Sequence, residues 1–241
     1  MLKAVVYDFD GTLTPNPMPI FKVLEMSGLG EDAVNSQQFL ELTKEIAQQE
    51  NVNKYEAMIR AILKIVKDAG FALTDDNICI GANERTYNPG VKELLVRLKQ
   101  QDIKNYLLSS GSKAYLEHLE IAPYFEEIHA STLSYDETGT VNGIKHVMTD
   151  SDKPAALREI AKSVNGTSDD FSGIVYIGDG PTDVIVMDYI KKHGGTAILI
   201  QHDNTDPNWP QVDTSGVDLA TDPDFTRNSK LATYLEDLIR S

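Results

Sequence analysis

Short apolar runs that end in polar loops alternate along much of the chain with longer amphipathic stretches. The first run, residues 4–7, is mostly β-branched and aromatic and breaks into a polar loop at residues 8–12, as a buried strand does when it leaves a sheet. Similar runs occupy residues 103–108, 173–177 and 196–200, and helical patterns occupy residues 91–101, 112–120, 154–164, 182–192 and 227–239. This alternation predicts an α/β fold, in which a doubly wound, mostly parallel sheet carries helices on both faces.

Residues 15–87 show a different pattern, with helical stretches and no convincing strand. The clearest helix covers residues 54–69 after the cap-like Asn53, and its apolar side chains recur at helical spacing: Ala57, Met58, Ala61, Ile62, Ile65, Val66 and Ala69. A proline-rich entry at residues 14–19 and an Asn-Pro-Gly turn at residues 88–90 bound the region and are poor helix continuations. We therefore predict a helical cap domain over residues 15–87, inserted into a core of residues 1–14 and 88–241.

A second interruption of the α/β pattern lies at residues 132–148. Polar and apolar residues alternate there, and Gly139 and Gly143 stand at turn positions. This pattern favours a β-hairpin inserted into the core.

Composition and charge exclude several classes of protein. With 241 residues and 41% apolar content the chain can fill a large core, and its net charge of −15 opposes binding to nucleic acids or anionic membranes. The apolar runs are about four residues long, as at 197–200, and the first ten residues have no signal-peptide pattern, so we expect a cytoplasmic protein without a membrane span. A single cysteine, Cys79, excludes an internal disulfide and a cysteine-based metal site.

Polar residues follow the predicted strands at the points where ligands bind in open parallel sheets. Asp8 and Asp10 follow the first strand, Ser109 and Ser110 the second, and Asp179 the run at 173–177. Asp183 lies four residues further on, and Lys153 begins the helix before that run. Taken singly, each Asp is an ordinary turn or capping residue, but four clustered carboxylates would require a cation, and Mg²⁺ is the usual one beside phosphate.

In these residues the chain resembles the haloacid dehalogenase superfamily, whose phosphatases carry an Asp-x-Asp-Gly-Thr first motif. Asp8 and Asp10 match that motif, and Ser109 matches the second. Lys153 matches the third motif, and Asp179 with Asp183 the fourth. The resemblance covers essentially the whole core and implies a Rossmann-like sheet with an inserted cap.

The resemblance also implies roles for these residues. Asp8 would be the nucleophile that forms an aspartyl phosphate, and Asp10 would protonate the leaving group and then activate water. Members of the superfamily that act as dehalogenases lack this second Asp. Lys153, the Ser109 hydroxyl and N–H groups near Ser110 and Gly11 would bind the phosphoryl oxygens.

The cofactor implied by the resemblance is Mg²⁺. Its ligands would be the side chain of Asp8, the main-chain carbonyl of Asp10 and the side chain of Asp179, while Asp183 would order the water around the ion. The expected function is a magnesium-dependent phosphatase that hydrolyses a small phosphorylated metabolite. Two alternatives remain open: a phosphomutase that uses the same residues, and a non-catalytic protein that binds a phosphorylated metabolite.

The order of motifs, cap and hairpin is most similar to the phosphoserine phosphatase-like branch. Phosphoserine phosphatases carry a Glu shortly after the first motif for the ammonium group of the substrate, whereas the first acidic residue after Asp10 here is Glu25. Candidates in the cap for contacting the leaving group are Glu25, Lys54, Tyr55 and Arg60. The sequence does not choose among sugar, amino-acid, nucleotide and cofactor phosphates, or indicate an oligomeric state.

Overall fold

A mostly parallel sheet built around the first apolar run of the sequence positions the candidate residues of the core. The computed structural model describes residues 1–15, 36–83, 85–202 and 212–241, and within them the sheet has seven strands. They are β1 (Ala4–Tyr7), β2 (Lys104–Ser112), β3 (Glu127–Tyr135), β4 (Val141–His146), β5 (Ile174–Gly178), β6 (Thr196–Ile200) and β7 (Leu219–Thr221). Their order is β4-β3-β2-β1-β5-β6-β7, and every pair except β3–β4 is parallel.

Helices fill the connections between the strands. In chain order they are α1 (Ser36–Glu50), α2 (Lys54–Asp68), α3 (Asp75–Asn83), α4 (Val91–Gln100), α5 (Lys113–Glu117), α6 (Lys153–Asn165), α7 (Pro181–Lys192) and α8 (Lys230–Arg240). We call α1, α2 and α3 the cap helices. None of the helices in the described ranges is long and apolar enough to cross a membrane.

The sheet is buried on both faces, as the uninterrupted apolar character of β1 requires. Successive side chains of a strand point to opposite faces, so Val5 and Tyr7 pack with α4, α8 and the cap helices, while Ala4 and Val6 pack with α6 and α7. The predicted doubly wound, mostly parallel α/β sheet is confirmed.

The order of the strands reverses at β1. The chain moves from β1 to β2 and β3 on one side and then returns to place β5 on the other side of β1. The carboxyl ends of β1 and β5 therefore flank the crevice in which doubly wound sheets bind their ligands.

The cap helices and the predicted hairpin lie together above the crevice at the carboxyl ends of the strands. The antiparallel pair β3–β4 confirms the hairpin, and its Val141 N–H donates to the carbonyl of Leu73 at 2.8 Å. The division into a core of residues 1–14 and 88–241 and a cap of residues 15–87 stays a prediction. Residues 16–35 and 84 of that cap, including Glu25, lie outside the described residues.

The sequence patterns predicted most of the helices and strands but not all of the residues at which they begin and end. β2 continues to Ser112, beyond the apolar run that ends at Leu108, because hydrogen bonds to β3 carry the strand into its polar end. The helix predicted over residues 112–120 is shorter and ends at Glu117. The three-residue β7 was not predicted, since three residues are too few to establish a period.

Candidate active site

The loop after β1 turns sharply and leaves Asp8 at the edge of the crevice. Gly11 has φ = 84°, a left-handed conformation that favours glycine. The turn lets the N–H groups of Thr12 and Leu13 both donate to the carbonyl of Phe9, at 3.2 and 2.9 Å. Asp8 itself is only 9% exposed, so a carboxylate is held at the floor of the crevice with little water around it.

Lys153 supplies the positive charge that faces Asp8. Its Nζ lies 2.9 Å from Asp8 Oδ1 and 3.0 Å from Asp183 Oδ1. The side chain reaches this position from the first residue of α6 and is 2% exposed. Burial alone would lower the pKa of Lys153, but the charges of Asp8 and Asp183 outweigh burial and raise the pKa well above its ordinary value. Lys153 is therefore a fixed cation.

Asp183 holds Lys153 in place and is itself held by four donors. Oδ1 accepts from Lys153 and from the Tyr176 hydroxyl at 2.6 Å, and Oδ2 accepts from the N–H groups of Asp179 and Gly180 at 3.2 and 3.1 Å. Burial raises the pKa of Asp183, but Lys153 and these hydrogen bonds together hold the pKa below its usual range.

Gly178 makes room for this arrangement. A Cβ atom at this position would lie 2.6 Å from Cγ of Asp183, a distance that real side chains do not tolerate. The last residue of β5 is thus small because the carboxylate that orders the site packs directly against it.

A cluster of carboxylates lies between β1 and β5. Ligand atoms of Asp8, Asp179 and Asp183 all lie within 4.8 Å of one another. Burial raises the pKa of Asp8 to about 7, against the opposing charge of Lys153. Burial and the Asp8 charge raise the pKa of Asp179 to about 9, although the Thr12 hydroxyl donates to its Oδ1 at 2.9 Å.

These residues fit a hard divalent cation. When all three are ionised, the carboxylates carry more negative charge than Lys153 balances, and oxygen donors of this kind are the ligands that Mg²⁺ and similar ions prefer. Both oxygens of Asp183 already accept hydrogen bonds from protein donors. Asp8 and Asp179 are therefore the side chains best placed to bind the ion, with Asp183 behind them.

Asp10 lies on the other side of the loop, in contact with the segment that leaves the cap helices. Arg85 Nη2 lies 3.1 Å from Asp10 Oδ1 and donates to Thr14 Oγ1 at 2.8 Å. Burial raises the pKa of Asp10 to about 8, and the Arg85 guanidinium opposes that rise. Asp10 therefore holds a proton to a higher pH than an exposed aspartate does, and a protonated carboxyl group can donate that proton.

The end of β2 completes the floor with hydrogen-bonding groups. The buried Ser109 accepts a hydrogen bond on its hydroxyl oxygen from the N–H of Gly111 at 3.0 Å. The Ser110 carbonyl accepts from the Ser131 hydroxyl at 2.8 Å, which fixes the backbone at this point. Ser109 and Ser110 both line the cavity that opens above Asp8.

That cavity has a volume of about 370 Å³ and lies between the floor and the cap helices. Lys54 and Tyr55, two of the candidates for contacting the leaving group, line it. Arg60 is absent from the described lining and pairs instead with Glu50 and Glu56 on the exposed side of α2, at 2.9 and 2.6 Å.

The structure thus brings Asp8, Asp10, Lys153, Ser109 and Ser110 to one cavity, with Asp179 and Asp183 beside Asp8. Three contributing residues were missed by sequence reasoning: Thr12, Arg85 and Tyr176. Thr12 stands inside the first motif and could have been found there. Tyr176 lies in a predicted strand and Arg85 near the end of the predicted cap, so no local signal distinguished them.

A sequence model for one protein family matches most of the chain. The match is described as haloacid dehalogenase-like hydrolase and covers residues 5–188, which include every candidate catalytic residue. No curated protein matches the chain by sequence.

Solved structures of phosphoserine phosphatases and of a 2-haloacid dehalogenase share the fold. A phosphoserine phosphatase in its apo form has a TM-score of 0.63 and 18% identity, with 98% of both chains covered. A substrate-bound phosphoserine phosphatase complex has a TM-score of 0.63 and 19% identity, with 100% of this chain and 98% of that chain covered. A 2-haloacid dehalogenase from Pseudomonas syringae pv. Tomato has a TM-score of 0.59 and 19% identity, with 100% and 99% covered. The predicted likeness to phosphoserine phosphatases is confirmed for the fold.

Proposed function

The chain belongs to the haloacid dehalogenase-like hydrolases, and from this premise we propose that it is a magnesium-dependent phosphatase of a small phosphomonoester. The observation that carries the proposal is the contact between Lys153 Nζ and Asp8 Oδ1 at 2.9 Å, at the floor of a cavity and beside two further carboxylates. This arrangement places a nucleophile, a fixed cation and a metal-binding cluster around one point, which is what transfer of a phosphoryl dianion requires.

Asp8 attacks phosphorus and forms an aspartyl phosphate while the bond from phosphorus to the leaving oxygen breaks. Lys153 binds the equatorial phosphoryl oxygens, on which the negative charge lies in the transition state. A magnesium ion held by Asp8, Asp179 and the Asp10 carbonyl would neutralise part of the charge that Asp8 and the substrate bring together. Asp183 holds Lys153 in position, since its Oδ1 lies 3.0 Å from Lys153 Nζ.

Asp10 supplies and recovers the proton. Its raised pKa, about 8, keeps a proton available for the departing alkoxide, and the carboxylate left behind accepts a proton from the water that hydrolyses the aspartyl phosphate. This second carboxyl group favours phosphatase over dehalogenase chemistry, although a dehalogenase is among the proteins that share the fold.

The direct test is release of phosphate by wild-type protein and by Asp8→Asn, with acetyl phosphate and p-nitrophenyl phosphate, with and without Mg²⁺. We expect the variant to lose at least about a thousandfold in kcat/KM, since it lacks the attacking oxygen anion. Asp188→Asn, an exposed change on α7, is the matched control and should retain wild-type rates.

A second measurement separates the alternatives. Rapid quenching followed by mass spectrometry should detect a phosphoryl adduct on the peptide that contains Asp8, and none in Asp8→Asn. Binding of phosphate esters without an adduct or turnover would instead indicate a non-catalytic binding protein. Isomerisation of a sugar phosphate without free phosphate would indicate a phosphomutase.

A further inference from the structure

The cavity above Asp8 has an apolar upper wall. α2 contributes Met58, Ile59 and Ile62 to it, and the hairpin contributes Leu133. Leu73 and Leu116 also line it. The hydrogen bond from Val141 N–H to the Leu73 carbonyl keeps hairpin and cap segment together, so the wall is continuous across two elements.

α2 has a wide apolar surface, part of which lines the cavity. Ala57, Ala61 and Ile65 are buried in the same apolar cluster as residues of α1. Met58 and Ile62 are only partly buried and face the cavity. At about 100° per residue these two sets lie on adjacent faces, so the apolar arc of α2 is wider than the stripe of roughly 100° that suffices to dock a helix. The second face packs against the edge of the core and also lines the cavity.

Charged groups among the described lining residues are confined to two places. Asp8, Asp10 and Lys153 form the floor, where the proposed function puts the phosphoryl group and the metal. Lys54 and Asp150 lie where the first turn of α2 meets the core, with Nζ and Oδ2 3.8 Å apart. Asp150 also accepts a hydrogen bond from the Tyr55 hydroxyl at 2.5 Å. These two side chains are thus already engaged with each other and with Tyr55.

We propose that the substrate is a phosphomonoester with a hydrocarbon or aromatic leaving group, bound against the wall of Met58, Ile59, Ile62, Leu73, Leu116 and Leu133. The inference rests on the proposed function and assigns its substrate class. A volume of about 370 Å³ lies at the lower end of the range for small-molecule sites, about 300–1,000 Å³. An ammonium or carboxylate placed against this wall would lose its water without gaining a partner. Phosphoserine, the class of substrate that the fold suggests, is therefore a poor fit.

The test compares kcat/KM for the straight-chain alkyl phosphates from methyl to hexyl, and for isobutyl phosphate against O-phospho-L-serine. Isobutyl phosphate carries methyl groups where phosphoserine carries its two charged groups. We expect kcat/KM to rise up to about fourfold for each methylene buried until the cavity is full. We also expect isobutyl phosphate to exceed phosphoserine by at least about tenfold.

Variants test whether the wall causes the rise in kcat/KM with chain length. Ile62→Gln replaces an apolar wall residue by a polar one of similar size and should cut the gain per methylene by at least half, and Met58→Gln repeats the change in case the first variant folds poorly. Leu40→Gln is the matched control, because Leu40 is an exposed residue of α1 and is not among the described residues that line the cavity. It should leave the chain-length profile unchanged.

Acetyl phosphate separates failure of this inference from failure of the proposed function. Turnover of acetyl phosphate that depends on Asp8, together with a flat chain-length profile or a preference for phosphoserine, would overturn the apolar assignment and leave the phosphatase intact. The affinity of Asp8→Asn for the same esters, measured by calorimetry, tests the wall independently of turnover. Affinity that rises with chain length, without turnover of any ester by wild-type protein, would support the wall and overturn the phosphatase. Affinity and turnover that are both independent of chain length would overturn the apolar wall.

Discussion

The floor and the wall of the cavity are built on opposite physical principles. At the floor, Lys153 and Asp183 are each about 2% exposed, and Asp183 accepts four hydrogen bonds. The wall consists of apolar side chains, of which Leu73 and Leu116 are buried and the others are partly buried. The described polar contacts of the first turn of α2 with the core are those of Lys54 and Tyr55 with Asp150. Many polar contacts hold the floor, whereas few hold the first turn of α2. Substitutions in the two regions should therefore differ in the property they change as well as in the size of the effect.

The largest effect is expected at the floor, from Lys153→Met. The change leaves buried carboxylates without their counter-charge, which costs about 3–5 kcal/mol when one partner of a buried pair is removed. Unfolding in urea should show that loss, and phosphatase activity should disappear. Lys162→Met, an exposed change on the same helix, is the control. A loss below about 1 kcal/mol in Lys153→Met would contradict the tight construction of the floor.

Magnesium should have the next largest effect. Mg²⁺ at 100 times its Kd stabilises a protein that binds it only when folded by about 2.7 kcal/mol. Thermal unfolding with EDTA and with Mg²⁺ measures this difference, and Asp179→Asn should reduce it. An equal unfolding temperature in both conditions would count against a metal site at the floor.

The same carboxylates give the metal-free protein a pH dependence of definite sign. Burial raises the pKa of Asp8 to about 7 and of Asp179 to about 9, above the value near 4 in an unfolded chain. The folded state then binds more protons than the unfolded state between about pH 4 and pH 9, so its stability should fall as the pH rises through this range. Unfolding temperatures at pH 6 and pH 9 in EDTA measure the fall, and a higher value at pH 9 would reverse the inferred sign.

In α2, which carries part of the wall, Tyr55→Phe should have a smaller and more local effect. It removes the hydrogen bond between α2 and Asp150, which contributes about 1 kcal/mol. Amide exchange over Lys54–Asp68 should accelerate while exchange in β1 and β5 stays unchanged. Tyr135→Phe, in the exposed end of β3, is the matched control. Faster exchange throughout the sheet would show that floor and wall unfold together.

The smallest effect is expected from Arg60→Ala. Arg60 pairs with Glu50 and Glu56 at the surface, and exposed pairs contribute about 0.2–1 kcal/mol. Since Arg60 is not among the described residues of the cavity lining, kcat/KM for isobutyl phosphate should stay within twofold of wild type. A tenfold loss of kcat/KM would indicate that Arg60 does contact the leaving group.

Much of the fold and the floor could be predicted because their signals are local. The run at 4–7 is apolar at every position, which marks a strand buried on both faces. The spacing of Asp8 to Asp10 and of Asp179 to Asp183 is likewise set within a few residues of a strand end. Since the carboxyl ends of parallel strands share one edge of the sheet, such local signals suffice to predict that the groups meet.

Side-chain contacts between different elements had no comparable signal. Tyr176 reaches Asp183 across the β5–α7 turn, and Arg85 reaches Asp10 across 75 residues. The periodicity of α2 marked Met58 and Ile62 as apolar, but a period of 3.6 residues does not distinguish a face that covers protein from one that covers a cavity.

The sequence by itself thus determined the α/β architecture, the residues of the floor and the chemical class of reaction to expect. Tertiary structure alone decided which groups hold those residues in place and that α2 turns a second apolar face toward Asp8. The physical reason is that strand ends and motifs are local properties of the chain. Pairing of buried charges and the lining of a cavity depend instead on how separate elements pack.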